Sequence, residues 1–229
     1  TPWGTLVTSE ENDDVSTVFC DINGYKNFGW NVEIDPATGE IMDYDNDGNP
    51  DKVWAMGCFK HENVAFAADS LTTYQGEDAS SAGFLFKYVM DEKANLSEGT
   101  LYVLELNQNW AQTGEGSWIE VPNNTVSERN NVIDAADDLT LLNSNLSEFD
   151  RVEDVEIGPD GKVYFTSTGQ NIVFRFDDVG STIENFEIFV DEETYDIEQA
   201  DGSTIQAAFT SPDNLVFDNE GNLWINQDG

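Results

Sequence analysis

Basic residues are scarce in this chain of 229 residues: nine Lys and Arg stand against 46 Asp and Glu, a formal net charge of −37. Phosphate backbones are gripped by clustered Lys and Arg. No such cluster occurs, which excludes a nucleic-acid partner and disfavours docking on an anionic membrane. Histidine is scarcer still, with His61 the only one. That count rules out a zinc enzyme built on several His ligands. A Ser-His-Asp hydrolase is also a poor fit, because there is no Gly-x-Ser-x-Gly nucleophile elbow and no evident base beside Ser9. The two cysteines, Cys20 and Cys58, allow one pairing; a disulfide and a pair of buried thiols fit equally well. No apolar run approaches the ~18 residues that a membrane-spanning helix needs. The chain opens without an initiator Met or a signal peptide, as a mature or trimmed form would.

Aromatic residues, by contrast, are plentiful. Six Trp, seven Tyr and 14 Phe are spread along the chain, whereas disordered acidic segments are poor in aromatics. The chain is therefore expected to fold, as a single domain over residues 1–229, a length that suits one all-β unit of ~200–250 residues. Charge repulsion on this scale destabilises a compact fold in dilute buffer and is screened over ~3 Å at molar salt. A saline, halophilic or marine setting accounts for most of the carboxylates. Bound divalent cations account for a minority, since hard oxygen ligands are what Ca²⁺ takes.

Strand-like stretches dominate: residues 4–9, 29–34, 83–89 and 99–106 are short, β-branched or aromatic, and bounded by turn formers. The best helical candidate is the segment from Val126 to Asn145. Residues 154–165 and 214–225 repeat one pattern sixty residues apart, each a strand, an Asp/Asn/Glu-Gly turn and a second strand. A weaker copy runs from Val32 to Ile41. Repeated hairpins at this spacing predict an all-β β-propeller, with a β-sandwich as the alternative. The length corresponds to about four or five blades of ~40–50 residues.

The most explicit site motif is Asp43-Tyr44-Asp45-Asn46-Asp47-Gly48-Asn49-Pro50-Asp51. Asp43, Asp45, Asp47 and Asp51 fall at positions 1, 3, 5 and 9, with Gly48 at position 6, the spacing that wraps carboxylates around one Ca²⁺. Position 12 is Trp54 instead of Glu, so the loop is expected between strands and not between helices. Three further places set charge among apolar residues: Ser9-Glu10-Glu11-Asn12-Asp13-Asp14 after the first strand, His61-Glu62, and Asp150-Arg151-Val152-Glu153-Asp154. Each alone also reads as a solvated edge, a core histidine or a surface ion pair. Arg151 stands out as one of three arginines, and its bidentate fork suits an anion.

Several segments together resemble the PhoX alkaline phosphatase family: Thr1-Pro2-Trp3-Gly4-Thr5-Leu6-Val7-Thr8-Ser9-Glu10-Glu11-Asn12, residues 28–36, Phe59-Lys60-His61-Glu62-Asn63-Val64-Ala65, residues 150–156 and Ser211-Pro212-Asp213-Asn214-Leu215 onward. The resemblance implies a six-bladed propeller, of which this chain covers most. It also implies an exported enzyme, periplasmic or extracellular, that hydrolyses small phosphate esters at an axial cluster of Ca²⁺ and Fe³⁺. Carried over by motif, Glu62, Glu153 and Asp213 are metal ligands, Glu10 and Glu11 are adjacent candidates, and Arg151 clamps the phosphoryl oxygens. Where the family reads Thr-Cys-Glu-Glu, this chain reads Thr8-Ser9-Glu10-Glu11. A hydroxyl thus replaces a soft thiolate iron ligand, which shifts the expectation toward Ca²⁺. The same substitution admits a calcium-stabilised propeller that binds without catalysing, and the hairpin at residues 212–224 is shared with propeller lactonases.

Overall fold

The computed structural model describes residues 1–12, 24–138, 148–191, 196–206 and 209–228. Cys20, and with it the Cys20–Cys58 pairing, lies outside the described residues, as do Asp13 and Asp14 of the first acidic run and residues 139–145 of the helical candidate.

Short strands make up nearly all the regular structure. In chain order they are β1 (Leu6–Ser9), β2 (Asn31–Ile34), β3 (His61–Phe66), β4 (Thr72–Glu77), β5 (Leu85–Met90), β6 (Gly99–Leu106) and β7 (Gly114–Val121). Two short helices follow, α1 (Val126–Asn130) and α2 (Val132–Asp138). The remaining strands are β8 (Val152–Ile157), β9 (Val163–Ser167), β10 (Ile172–Asp178), β11 (Thr182–Val190), β12 (Asp196–Glu198), β13 (Thr204–Gln206), β14 (Pro212–Phe217) and β15 (Leu223–Gln227). The helical candidate divides at Asn131, which ends α1; Thr125 and Glu128 close a capping box at its start.

The chain is all-β, of propeller type. β3 to β7 and β8 to β11 form two antiparallel meanders. β1 lies against β3, β3 against β8, and β8 against β14. These four strands stand side by side in succession. The full meanders are not separate blades, however. β7 pairs with β11 and fuses them into one nine-stranded sheet, while β8 at its far end returns beside β3 and β4. Glycine permits both approaches. A Cβ on Gly116 of β7 would lie 3.1 Å from Ile183 of β11, and one on Gly76 of β4 would lie 2.4 Å from the Val152 carbonyl oxygen.

The period-two pattern of β5 shows how the core is divided. Phe86, Tyr88 and Met90 join Met56, Phe59, Leu101 and Val103 on one face. Leu85 on the other face joins a cluster rich in phenylalanine. There Phe165 stacks on Phe174 at 5.1 Å, and Phe174 on Phe186 at 5.2 Å. Lys87 is buried beside Trp118 and neutralised by Asp178 at 2.6 Å, which Tyr74 also contacts through its hydroxyl.

Candidate metal centre

The three sequence repeats fold alike. In the hairpins β8–β9 and β14–β15, and in the weaker copy after β2, a glycine at positive φ (Gly161, Gly221 and Gly39) completes the turn. Each donates its N–H three or four residues back, to Gly158, Asp218 and Asp35. The sixty-residue correspondence reaches further back than the hairpins. Arg151 and Ser211, each one residue before its strand, both adopt left-handed backbone, at φ +60° and +50°.

Each of β3, β8 and β14 carries an acid at its second position: Glu62, Glu153 and Asp213. At that place each strand also slips register against its partner, between His61 and Val64, Val152 and Val155, and Pro212 and Leu215. A bulge inserts an extra residue and re-aims side chains. Here it does so at the same point in three adjoining strands, and their acids converge.

Glu11 is in hydrogen-bonding contact with both Asp78 and Glu62. Glu153 is in the same kind of contact with Asp213. Burial, reinforced by the charges of Glu11, Asp213 and Asp78, pushes the Glu62 carboxyl up to about 7. Glu153 is also raised, by burial first and then by Asp213 and Asp78, against the opposing pull of Arg151. Burial lifts Asp154 to about 7 although the Leu215 N–H favours its charged form. Arg151 is the cation of the group: Nε lies 2.7 Å from Asp78 and Nη2 lies 2.5 Å from Glu153. Its hydrogen bond to Asp78 holds the guanidinium firmly protonated, and Nη1 has no partner among the described residues.

Five carboxylates, Glu11, Glu62, Asp78, Glu153 and Asp213, are thus linked by close contacts, and Arg151 pairs with two of them, Asp78 and Glu153. Glu153 Oε1 is buried and lies 2.5 Å from Arg151 Nη2, as an ion pair without the alignment of a directed hydrogen bond. An all-carboxylate donor set is hard and fits Ca²⁺. It would hold Fe³⁺ through oxygen only, since all five groups are carboxylates, and the Ser9 hydroxyl is engaged elsewhere, donating to Asn31 Oδ1 at 2.7 Å.

The structure separates other residues singled out in the sequence. Glu10 turns away from Glu11 to meet Lys52 Nζ at 2.6 Å and the Trp30 N–H. His61 is fully buried and held below its usual range, at about 4, by burial. Its Nε2 donates to the Gly57 carbonyl at 2.9 Å, so Nδ1 accepts from Asn31. It serves as a neutral core residue. Oxygens of Asp43, Asp45 and Asp51 lie within 4.8 Å of one another, the only such gathering among the described residues. Asp47 stands outside that trio, with its carboxylate accepting from Asn49. The loop is tied to the core through Tyr44, whose hydroxyl reaches buried Glu33.

Asp78 and Asn63 were not singled out in the sequence for a role, and Asp154 only as part of the charged run at Asp150–Asp154. Alignment of the sixty-residue repeat, which pairs Asp154 with Asn214, is the signal that marks Asp154. Nothing comparable marks Asp78, which comes from the end of β4.

Comparison with known proteins bears on this arrangement. A family described as alkaline phosphatase PhoX matches residues 1–229. No curated protein matches the chain. Among solved structures, virginiamycin B lyase from Staphylococcus aureus is 14% identical, covering 96% of this chain and 66% of that one, with a TM-score of 0.32. A streptogramin B lyase is 13% identical over 90% of this chain and 74% of its own, at 0.27. The periplasmic gluconolactonase of Pseudomonas aeruginosa is 10% identical over 96% and 88%, at 0.24. Likenesses this slight carry no argument about function.

Proposed function

Because the chain belongs to the PhoX alkaline phosphatase family, we propose that it is a metal-dependent phosphomonoesterase whose centre is the carboxylate cluster at the ends of β3, β8 and β14. The observation that carries this reading is a linked run of close carboxylates, Glu11 with Glu62 and Asp78, and Glu153 with Asp213, joined by Arg151, which pairs with Asp78 and Glu153. Repulsion among those acids is relieved by a cation. Glu62, Glu153 and Asp213 would hold it, with Glu11 and Asp78 at the margin.

A bound Ca²⁺, with or without Fe³⁺, would supply Lewis-acid polarisation of the phosphoryl oxygens and an activated water. Arg151 binds the substrate. Two of its nitrogens are fixed by carboxylates, and the third, on a side chain that is 33% exposed, is available to a phosphoryl oxygen. Asp78 orients the guanidinium, and its own burial keeps that ion pair rigid. A phosphate monoester is repelled by a protein of −37, so local positive charge from Arg151 and the cation governs capture. The Asp43–Asp45–Asp51 loop takes a separate calcium with a structural role. Export to the periplasm or beyond and a saline setting belong to the same reading.

The test is hydrolysis of p-nitrophenyl phosphate by the full chain. Chelation abolishes turnover, and calcium, alone or with Fe³⁺, restores it. Arg151→Ala lowers kcat/KM at least ~100-fold, the scale of a lost charge-assisted contact. A folded protein that shows no turnover with Fe³⁺ or any divalent metal overturns the proposal.

A further inference from the structure

Beside each acid of the proposed centre sits a second polar residue: Asn63 after Glu62, Asp154 after Glu153, and Asn214 after Asp213. The bulges that turn the acids toward one another send the first two of these neighbours sideways, onto the adjoining strand. Asn63 of β3 meets Val155 of β8 twice, with Nδ2 donating to the Val155 carbonyl at 2.8 Å and Oδ1 accepting from its N–H at 3.0 Å. Asp154 of β8 accepts the N–H of Leu215 in β14 through Oδ2 at 2.5 Å, and the N–H of Val155 through Oδ1 at 2.8 Å.

Val155 and Leu215 are equivalent positions, each two residues beyond its acid. One device is thus used twice in succession: the residue after an acid on one strand grips the backbone two residues past the acid on the next. These neighbouring strands have no ladder between them, since β3, β8 and β14 pair with β4, β9 and β15 respectively. These side chains take its place. Buried Thr166 and Thr168 at the end of β9 complete the hold on β14, donating to the carbonyls of Asp213 at 3.1 Å and Pro212 at 2.6 Å.

We infer that Asn63 and Asp154 are positioning residues, side-chain clasps that fix the offset between these strands and so set the separation of Glu62, Glu153 and Asp213. The inference rests on the proposed metal centre. Without the Asn63 clasp, β3 and β8 remain folded within their own meanders but slide relative to each other, and Glu62 no longer stands in fixed register with Glu153. Without the Asp154 clasp the same happens to Asp213. In neither case does the clasp touch substrate or cation.

The experiment is calorimetric titration of the chelated, full-length protein with Ca²⁺, read beside amide hydrogen exchange at Val155 and Leu215. The wild type takes up calcium at the cluster and at the Asp43–Asp51 loop. Asn63→Ala and Asp154→Asn weaken the cluster site about 10- to 100-fold, as loss of a supporting partner does at metal centres, and leave the loop site unchanged. In the same variants exchange rises at Val155 and at Leu215, respectively. Asn63→Gln, which keeps the donor and the acceptor on a neutral side chain one methylene longer, guards against loss of the fold and falls between wild type and Asn63→Ala. Variants that bind calcium at the cluster as tightly as the wild type overturn this inference alone. A wild type that takes up no cation beyond the loop overturns the metal centre and the inference with it.

Discussion

Withholding metal while raising the pH perturbs the proposed centre without altering a residue. By pH 6 the ordinary carboxylates of this chain are ionised, near 4 for Asp and Glu, and the surface charge changes little above it. Glu62 and Asp154 are held near 7 in the folded protein, and Glu153 is raised too. These groups bind protons more tightly folded than unfolded. Their contribution to stability is full below the unfolded values and is lost as pH rises through the folded ones. The sign is therefore a falling stability between pH 6 and pH 9. Buried Asp154 crosses its folded value about one pH unit above the start of that window, which amounts to about 1.4 kcal/mol. Buried Glu153 adds a similar loss, and half-buried Glu62 adds less because solvent screens it. A total of about 3 kcal/mol lowers Tm by roughly 6–12 °C for a domain of this size. Calcium reverses the trend. It binds the ionised carboxylates and competes with protons, so the stabilisation on adding it grows from pH 6 to pH 9, reaching about 2.7 kcal/mol where calcium stands at a hundredfold excess over Kd. Differential scanning calorimetry in EDTA and in CaCl₂, at constant high ionic strength to screen the surface, measures both curves. A metal-free Tm that is flat or rises over this window refutes the reasoning, as does a calcium shift that is the same at every pH.

Other perturbations probe separate parts of the account. Asp78→Asn frees Arg151 from its 2.7 Å anchor and raises KM for phosphate esters about 10-fold or more, the scale of a hydrogen bond to a charged group; steady-state kinetics with inorganic phosphate as inhibitor show it as weakened phosphate binding. Asp51→Asn takes one carboxylate from the Asp43–Asp45–Asp51 trio, and a calcium titration loses the loop site. Phe174→Ala removes the ring stacked between Phe165 and Phe186 and costs about 3–5 kcal/mol, seen as a Tm lowered by roughly 6–20 °C.

How far the sequence speaks can be judged element by element. The hairpins at 154–165 and 214–225 were legible because their turns demand glycine at positive φ, a local requirement that Gly161 and Gly221 meet. Burial alternation in β5 and the start of β6 at Gly99 were legible for a similar reason. Fusion of the meanders through β7 and β11 was not. It depends on Gly116 meeting Ile183 across the sheet, and no local pattern announces which distant strand a glycine will face. The same holds at the site. Glu62, Glu153, Asp213 and Arg151 stood out by motif and fall in one cluster with Glu11. Adjacent Glu10 and Glu11 look alike in sequence, yet Lys52, more than forty residues away, draws Glu10 aside. The acids converge because a bulge recurs in three strands, and a register slip is a property of a strand pair, invisible in either strand alone.

The centre itself is tested most directly by anomalous X-ray scattering from crystals of the full chain grown with calcium. The account predicts an anomalous peak between β3, β8 and β14, with carboxylate oxygens of Glu62, Glu153 and Asp213 at about 2.3–2.6 Å and Arg151 beside it. Peaks confined to the Asp43–Asp51 loop, with Glu153 still turned to Arg151 alone, would contradict it.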